Sequence, residues 1–469
     1  MACPAPFRTA LRIALFDGRA ATLICLLLAV ASAPSGLFAK EPVAQGGLVA
    51  LDGAGLRGAW LVPGDSPRTT VTLVVLAGER DNGGESGLAH YAEHLVWLSA
   101  IDDGAGRAGR DSNASTDQVM TRYFLDGPGE EVGDMLATLG RIFVPIDLPV
   151  PFMREEVGIV QREYDRGMRE SPDAAFAQEL SSLQHGEQWP AVSVIGTPDS
   201  IARLTPGAAI DWQARTHRPD NTVLLVHGDH DPGALNALLR ETFAAPEAGS
   251  PDESHDESAT ANPPPLLDVP AYRMLPDLRE VLERIEPRFA EPQIRHSRLA
   301  PLPADLDPAE LDARLTLLWW VLDSTRPGGL AGPLRFDDFI ARGYDLGLSS
   351  IEGRYVELQF TAWPDRGIDN RTLLERFEST LLDTARAGIP VDTFERVRAG
   401  LLDDIDQTDE PDAWVMDIAF DALAQGTQPT PLSEWRAQIA AVTLAQTDDL
   451  LDALAEAPRV ITLSIDPGE

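Results

Sequence analysis

The chain has 469 residues, enough for two or more packed cores, and a formal charge of −36 from 38 basic and 74 acidic side chains. That balance excludes non-specific binding to nucleic acid or to anionic membrane surfaces and suits a soluble exported protein. Cys3 and Cys25 are the only cysteines and both lie in the first forty residues, so the body of the chain can neither form a disulfide nor use a thiolate.

Taken in chain order, Arg8, Arg12 and Arg19 give a basic start, and a short apolar run, Ala20–Ala33, is followed by small residues. Residues 1–39 read as a secretory leader, with cleavage suited after Ala33 or Ala39. The apolar run is shorter than the ~20 residues a membrane span needs, so no stable membrane association is expected once the leader is gone. The expected location is exported, periplasmic or secreted.

Alternating segments at Gly58–Val62 and Thr70–Leu76 predict strands. Next comes His90-Tyr91-Ala92-Glu93-His94. In a helix, residues i and i+4 share a face, so His90 and His94 can reach one metal ion. Glu93, at i+3 from His90, projects to nearly the same side, where it can take a proton from an attacking water without ligating the metal. The order H-x-x-E-H is the inverse of the commoner H-E-x-x-H and is a zinc-peptidase signature. With only eight histidines in the chain, a chance match to this pattern is rare.

A zinc site needs a third protein ligand. Val157, Val160 and Tyr164 recur at helical spacing within Pro151–Glu170, which predicts a helix carrying Glu156 and Glu163 two turns apart along one side. Two histidines and a glutamate, with a fourth position left open, form a catalytic zinc set, and Glu163 is the expected ligand. Glu156 is then placed to orient a histidine from behind. The expected cofactor is one zinc ion per chain.

Further helices are expected through Leu204, then a strand around Val223 and a helix over Pro232–Phe243, closing a first domain of residues 41–245. Residues 246–270 are rich in Pro, Ser and acid and read as a linker; His255 within them has no fixed geometry around it. A second domain, 271–469, shows an apolar helix at Leu311–Leu322, strands at Val356–Phe360 and Val460–Ile465, and amphipathic helices at Leu373–Ala387 and Pro390–Ile405. It has no second H-x-x-E-H. Strands and helices interleave without a strict βαβ rhythm, which predicts an α+β fold with largely antiparallel sheets.

These residues resemble the N-terminal domain of the insulinase/pitrilysin family of inverted-motif zinc metallopeptidases, whose short-chain members are the two-domain processing peptidases. The resemblance covers Ala77–Asp81 and Gly87–Ala89 before the metal helix, Asn113–Thr116 with Thr121–Tyr123, the paired Glu156 and Glu163, and Asn221–Asp229. The interval from His94 to Glu163 is shorter than the family's, the difference falling in Ala100–Arg110. The resemblance implies two similar domains, each a mostly antiparallel sheet packed with helices, the second a copy without the zinc motif. It implies that Asn113 and Ala114 lie on an edge strand to which an extended peptide substrate adds. Arg335 and Tyr344, with Arg342 as the alternative arginine, resemble a pair that holds substrate carbonyls, here spaced about two residues wider. The family encloses substrate in four such domains, so two domains imply a homodimer or a heterodimer with a related chain. The implied function is that of an exported zinc metalloendopeptidase with Glu93 as general base. The alternative is a zinc-binding but non-proteolytic partner subunit.

Overall fold

A computed structural model describes residues 46–101, 111–243, 269–302 and 306–468. The expected leader, nearly all of the acidic linker and the loop expected to follow the metal helix lie outside the described residues. Among the described residues no helix is long and apolar enough to cross a membrane.

The first half contains β1 (Val49–Ala50), β2 (Gly58–Pro63), β3 (Arg68–Val75), α1 (Leu88–Ala100), β4 (Asp111–Thr116), β5 (Thr121–Pro128), α2 (Val132–Gly140), α3 (Val150–Tyr164), α4 (Pro172–His185), α5 (Pro198–Ile201), α6 (Pro206–Thr216), β6 (Thr222–Gly228) and α7 (Pro232–Phe243). Its sheet runs β1-β2-β6-β3-β5-β4. Only β2 and β6 pair in parallel; the other neighbours are antiparallel. The second half contains β7 (Leu278–Ile285), β8 (Gln293–Pro301), α8 (Pro308–Leu322), β9 (Ala341–Ile351), β10 (Tyr355–Pro364), α9 (Asn370–Ala387), α10 (Val391–Asp406), α11 (Pro411–Ala424), α12 (Leu432–Ala441), α13 (Leu444–Ala455) and β11 (Arg459–Asp466). Its sheet runs β7-β11-β8-β10-β9, with β7 and β11 parallel and the rest antiparallel.

The two sheets follow one path. Setting β1 aside, each is built in the spatial order first, last, second, fourth, third, with a helix (α1 or α8) between its second and third strands. The expected α+β class, two similar sheet-and-helix units, is therefore the architecture observed.

Each half packs its own helices on one face of its sheet. In the first, Tyr91, Leu95, Met135, Leu139, Val160 and Trp212 meet Val71, Leu73, Tyr123 and Val226. In the second, Leu315, Leu318, Phe377 and Leu451 meet Val356, Leu358, Phe360 and Val460. The opposite face of each sheet is covered by a helix from the other half. Ala419 and Leu423 of α11 cover Val74, Val223 and Leu225. Phe176 and Leu180 of α4 cover Ile461, Leu463 and Ile465. Two-sided burial explains why β6 reads as a continuous apolar run and not as an alternating one. The exchange is reinforced by His227 on β6, whose Nε2 lies 2.6 Å from Asp412 of α11. Arg459 on β11 donates to the Gln184 carbonyl of α4 at 2.8 Å.

Candidate metal centre

Helix α1 begins at Gly87, whose φ of 89° lies in the left-handed region and whose lack of a side chain leaves no local cap. A distant carboxylate does the capping instead. Glu79, fully buried, accepts the Gly87 N–H at 2.6 Å through Oε1, and the Asn82 side chain donates to the same atom at 2.6 Å. Burial raises this carboxyl to about 8, against the lowering pull of those hydrogen bonds. Leu88, Ala89, Tyr91, Ala92, Leu95 and Val96 bury the apolar side of α1. The Tyr91 hydroxyl donates to the Met153 carbonyl at 2.7 Å and ties α1 to α3.

This packing brings His90 and His94 together with their rings edge to face, centroids 4.7 Å apart. Their Nε2 atoms are 3.2 Å apart. Glu163, near the end of α3, places Oε2 3.4 Å from His94 Nε2 and 3.8 Å from His90 Nε2. These three atoms are the one group of potential metal donors that converges among the described residues. Zinc bonds of ~2.0–2.2 Å in a tetrahedron separate neighbouring donors by roughly 3.3 Å, and the three distances match that requirement. Glu163 Oε2 is buried and accepts no hydrogen bond from the described residues, which leaves lone pairs for a cation. The donor set, two imidazoles and one carboxylate, fits zinc.

Glu156, one turn-pair earlier on α3, holds Oε1 2.9 Å from His94 Nδ1. A proton on Nδ1 shared with that carboxylate leaves the Nε2 lone pair directed at the site. Burial lowers His94, but the Glu156 hydrogen bond and the charges of Glu93, Glu163 and Glu156 outweigh it and hold the ring above its ordinary value. His90 is driven down to about 3 by burial and by His94 beside it, so it is neutral and ready to ligate.

Glu93 lies beside this cluster, 5% exposed, and its Oε2 accepts a hydrogen bond from Thr116 Oγ1 at 3.0 Å. Burial raises its carboxyl to about 7, with His94 and Thr116 pulling it down and Glu163 pushing it further up. A carboxyl poised near neutrality suits proton transfer in both directions. Thr116 is absent from the expected site residues. The sequence signal for it is faint: in the Asn113–Thr116 stretch it shares a strand face with Ala114, two residues earlier.

Asn113 and Ala114 lie on β4, an edge strand that among the described residues pairs only with β5, where Asn113 faces Phe124 and Ala114 faces Tyr123. The Ala114 N–H is held by the Asn113 side chain at 2.9 Å, so it is satisfied without a second strand. Arg335 sits exposed in the wide turn Gly332–Asp337 with its guanidinium 5.5 Å from the Phe336 ring. Tyr344 lies on β9, its ring 5.3 Å from Phe360. Burial and the neighbouring Asp323 raise its hydroxyl above the ordinary phenol range. Arg342 pairs with Glu291. The structure thus gathers His90, Glu93, His94, Glu156 and Glu163 in the first half, while Arg335 and Tyr344 form a separate grouping in the second.

No protein-family model matches the chain. A Mycobacterium leprae protein described as an uncharacterized zinc protease is 28% identical over 191 residues, 38% of this chain and 41% of its own length. The chain therefore spans well under half of that relative. Among solved structures, the periplasmic protease PqqL from Escherichia coli superposes with a TM-score of 0.69 at 15% identity, covering 90% of this chain and 48% of that one. A peptidase M16 inactive domain from Pseudomonas fluorescens superposes with a TM-score of 0.69 at 15% identity, covering 90% of this chain and 98% of that one.

Proposed function

We propose that this chain is a member of the insulinase/pitrilysin (M16) family of inverted-motif zinc peptidases and an exported metalloendopeptidase that hydrolyses extended peptides or unfolded polypeptide segments. One observation carries the reading: His90 Nε2, His94 Nε2 and Glu163 Oε2 converge beside a buried Glu93, next to an open strand edge. A zinc ion held by these donors would supply the Lewis acidity that polarises a scissile carbonyl and acidifies a water. Glu156 keeps the His94 ring turned so that Nε2 faces that position. Glu93 takes the proton of the attacking water and returns it to the leaving amine. The outer edge of β4, at Asn113 and Ala114, pairs with the backbone of the substrate, which makes recognition tolerant of side chains.

Export rests on the basic start and short apolar run of residues 1–39, and agrees with the periplasmic description of PqqL. Assembly belongs to the same proposal. The chain covers 48% of PqqL, so two copies, or one copy and a related chain, would match its length and supply the four domains that the family resemblance implies around a substrate. Arg335 and Tyr344 of one chain would then serve the substrate held at the metal of its partner.

The test is zinc content together with cleavage of a quenched peptide by the protein and its Glu93→Gln variant. The expected result is cleavage by the parent and loss of cleavage with zinc retained in the variant. A parent that binds zinc and cleaves no unfolded peptide, alone or with a related chain, overturns the enzymatic reading and leaves the non-proteolytic partner subunit; the Pseudomonas domain of the same fold is itself described as inactive.

A further inference from the structure

The substrate-pairing strand and the metal helix are joined at two places. The first is the turn after β4. Glu79 N–H donates to the Asp117 carbonyl at 2.9 Å and Arg80 N–H to the Gln118 carbonyl at 2.8 Å. Gly78 permits this approach, since a Cβ there would stand 2.4 Å from the Asp117 carbonyl oxygen. Asp117 Oδ1 accepts the Val119 and Met120 N–H groups at 2.9 Å each and closes the turn. The same Glu79 side chain caps α1 through Gly87. The second join is Thr116 Oγ1 to Glu93 Oε2 at 3.0 Å. Between these anchors and the exposed Asp111–Asn113 end, β4 has a partner on one side only among the described residues.

We propose that Thr116 is a positioning residue that couples the pairing of a substrate strand on β4 to the aim of the Glu93 carboxylate. The inference rests on the reading of Glu93 as the base and of β4 as the substrate edge. Glu93 is buried in α1, so a hydroxyl reaching it must come from a neighbouring element, and Thr116 is the residue that supplies it. Thr116 is β-branched, with χ1 restricted by the backbone, so its hydroxyl follows the strand and does not swivel freely. Ala114 and Thr116 share a strand face, and Ala114 packs against the core beneath. A docked peptide takes the Ala114 N–H from the Asn113 side chain and fixes the strand two residues from Thr116. Strand order then becomes order in the carboxylate, which raises the chemical step and leaves binding unchanged.

The experiment uses the full zinc-loaded chain and two peptides sharing one cleavable bond, of about four and about ten residues, the longer able to pair along β4. In the parent, kcat is higher for the longer peptide. In Thr116→Val, kcat for the longer peptide falls about tenfold, to the level of the short one, a size suited to losing one hydrogen bond to a carboxylate. KM changes little, and Thr116→Ser, which restores the hydroxyl, recovers kcat. Two further readouts do not depend on turnover. Zinc per chain is unchanged in Thr116→Val, and the longer peptide binds equally well to Glu93→Gln and to Glu93→Gln/Thr116→Val. An unchanged kcat in Thr116→Val, a loss confined to KM, or loss of zinc overturns the coupling. The two layers separate cleanly: Glu93→Gln cleaving at the parental rate removes the base assignment and Thr116 with it. An inactive Glu93→Gln beside an unaffected Thr116→Val removes Thr116 alone.

Discussion

The two halves share a strand path and invert the placement of their polar groups. In the first half the helix between second and third strands, α1, carries His90, Glu93 and His94, while the strand beneath it, β3, buries Val71, Leu73, Val74 and Val75. In the second half the corresponding helix, α8, buries Leu311, Leu315, Leu317, Leu318, Val321 and Leu322. There the corresponding strand, β8, buries Arg295, His296, Ser297 and Arg298. One fold therefore supports a helix bearing histidine and glutamate over an apolar strand, and an apolar helix over a charged strand. The lesson is that topology fixes where a site can stand, and side-chain chemistry alone decides which half holds it.

The comparison is broken most severely at the ligands. His94→Ala or Glu163→Ala should take zinc from one per chain to near none, because each removes one of three protein donors and α8 offers no replacement. Elemental analysis decides it. Retention of full zinc by the Glu163→Ala variant would mean that the third donor has been assigned to the wrong residue.

A smaller effect is expected in the charged strand. Arg298 is fully buried, bonded to Glu378 at 2.7 Å and to the carbonyls of Leu454 and Ala455 at 3.3 Å each. Glu378→Ala removes the counter-charge and should cost ~3 kcal/mol by urea unfolding, since an unpaired buried charge is expensive. Adding Arg298→Met should return much of that loss, because a well-packed apolar side chain tolerates the site once the charge is gone. In the apolar strand Leu73→Ala should cost a similar ~3 kcal/mol through a cavity, with no second change of charge able to recover it. Equal and additive losses for both members of the Arg298–Glu378 pair would contradict the ion-pair account.

This contrast also explains what could be read in the sequence. His90, Glu93 and His94 were legible because helical periodicity sets their directions on one helix, while Glu156 and Glu163 also needed the demand for a third ligand and the family resemblance. The helix spans and the strands at Gly58, Thr70, Val223, Val356 and Val460 were legible as apolar patterns with turn residues at their ends. Strand β8 was not. Its central buried residues, Arg295 to Arg298, are polar because they answer partners far away in sequence: Asp173 for Arg295, Thr462 for His296, Glu357 for Ser297 and Glu378 for Arg298. The exchange of α4 and α11 was hidden for the same reason. Phe176 and Leu180 look like the face of any amphipathic helix, and nothing local says that the sheet they cover is the other half's. Thr116 lies in a strand with no apolar alternation, and its role arises from a contact between elements.

The two equivalent helices also differ in how they begin. Helix α8 is capped locally: Asp307 accepts the N–H groups of Ala309 and Glu310 at 3.0 and 3.2 Å, and Asp307→Ala should cost ~1 kcal/mol. Helix α1 is capped from a distance by Glu79, whose carboxyl burial raises from 4.5 to about 8. Glu79 therefore keeps its proton in the folded chain over a range where the unfolded chain has released it. Stability from this group is fully present below pH about 4.5 and is lost as the pH rises toward about 8. Glu79→Gln keeps an oxygen acceptor for the Gly87 N–H and removes the titration. The difference in unfolding midpoint between parent and variant, measured at saturating zinc in both, should shift toward the variant as pH rises from about 5 to about 8. A difference that stays flat across that range means that Glu79 enters the fold already ionised, with its buried Oε2 satisfied by solvent. The pH dependence of the metal helix would then have to be sought in the site itself.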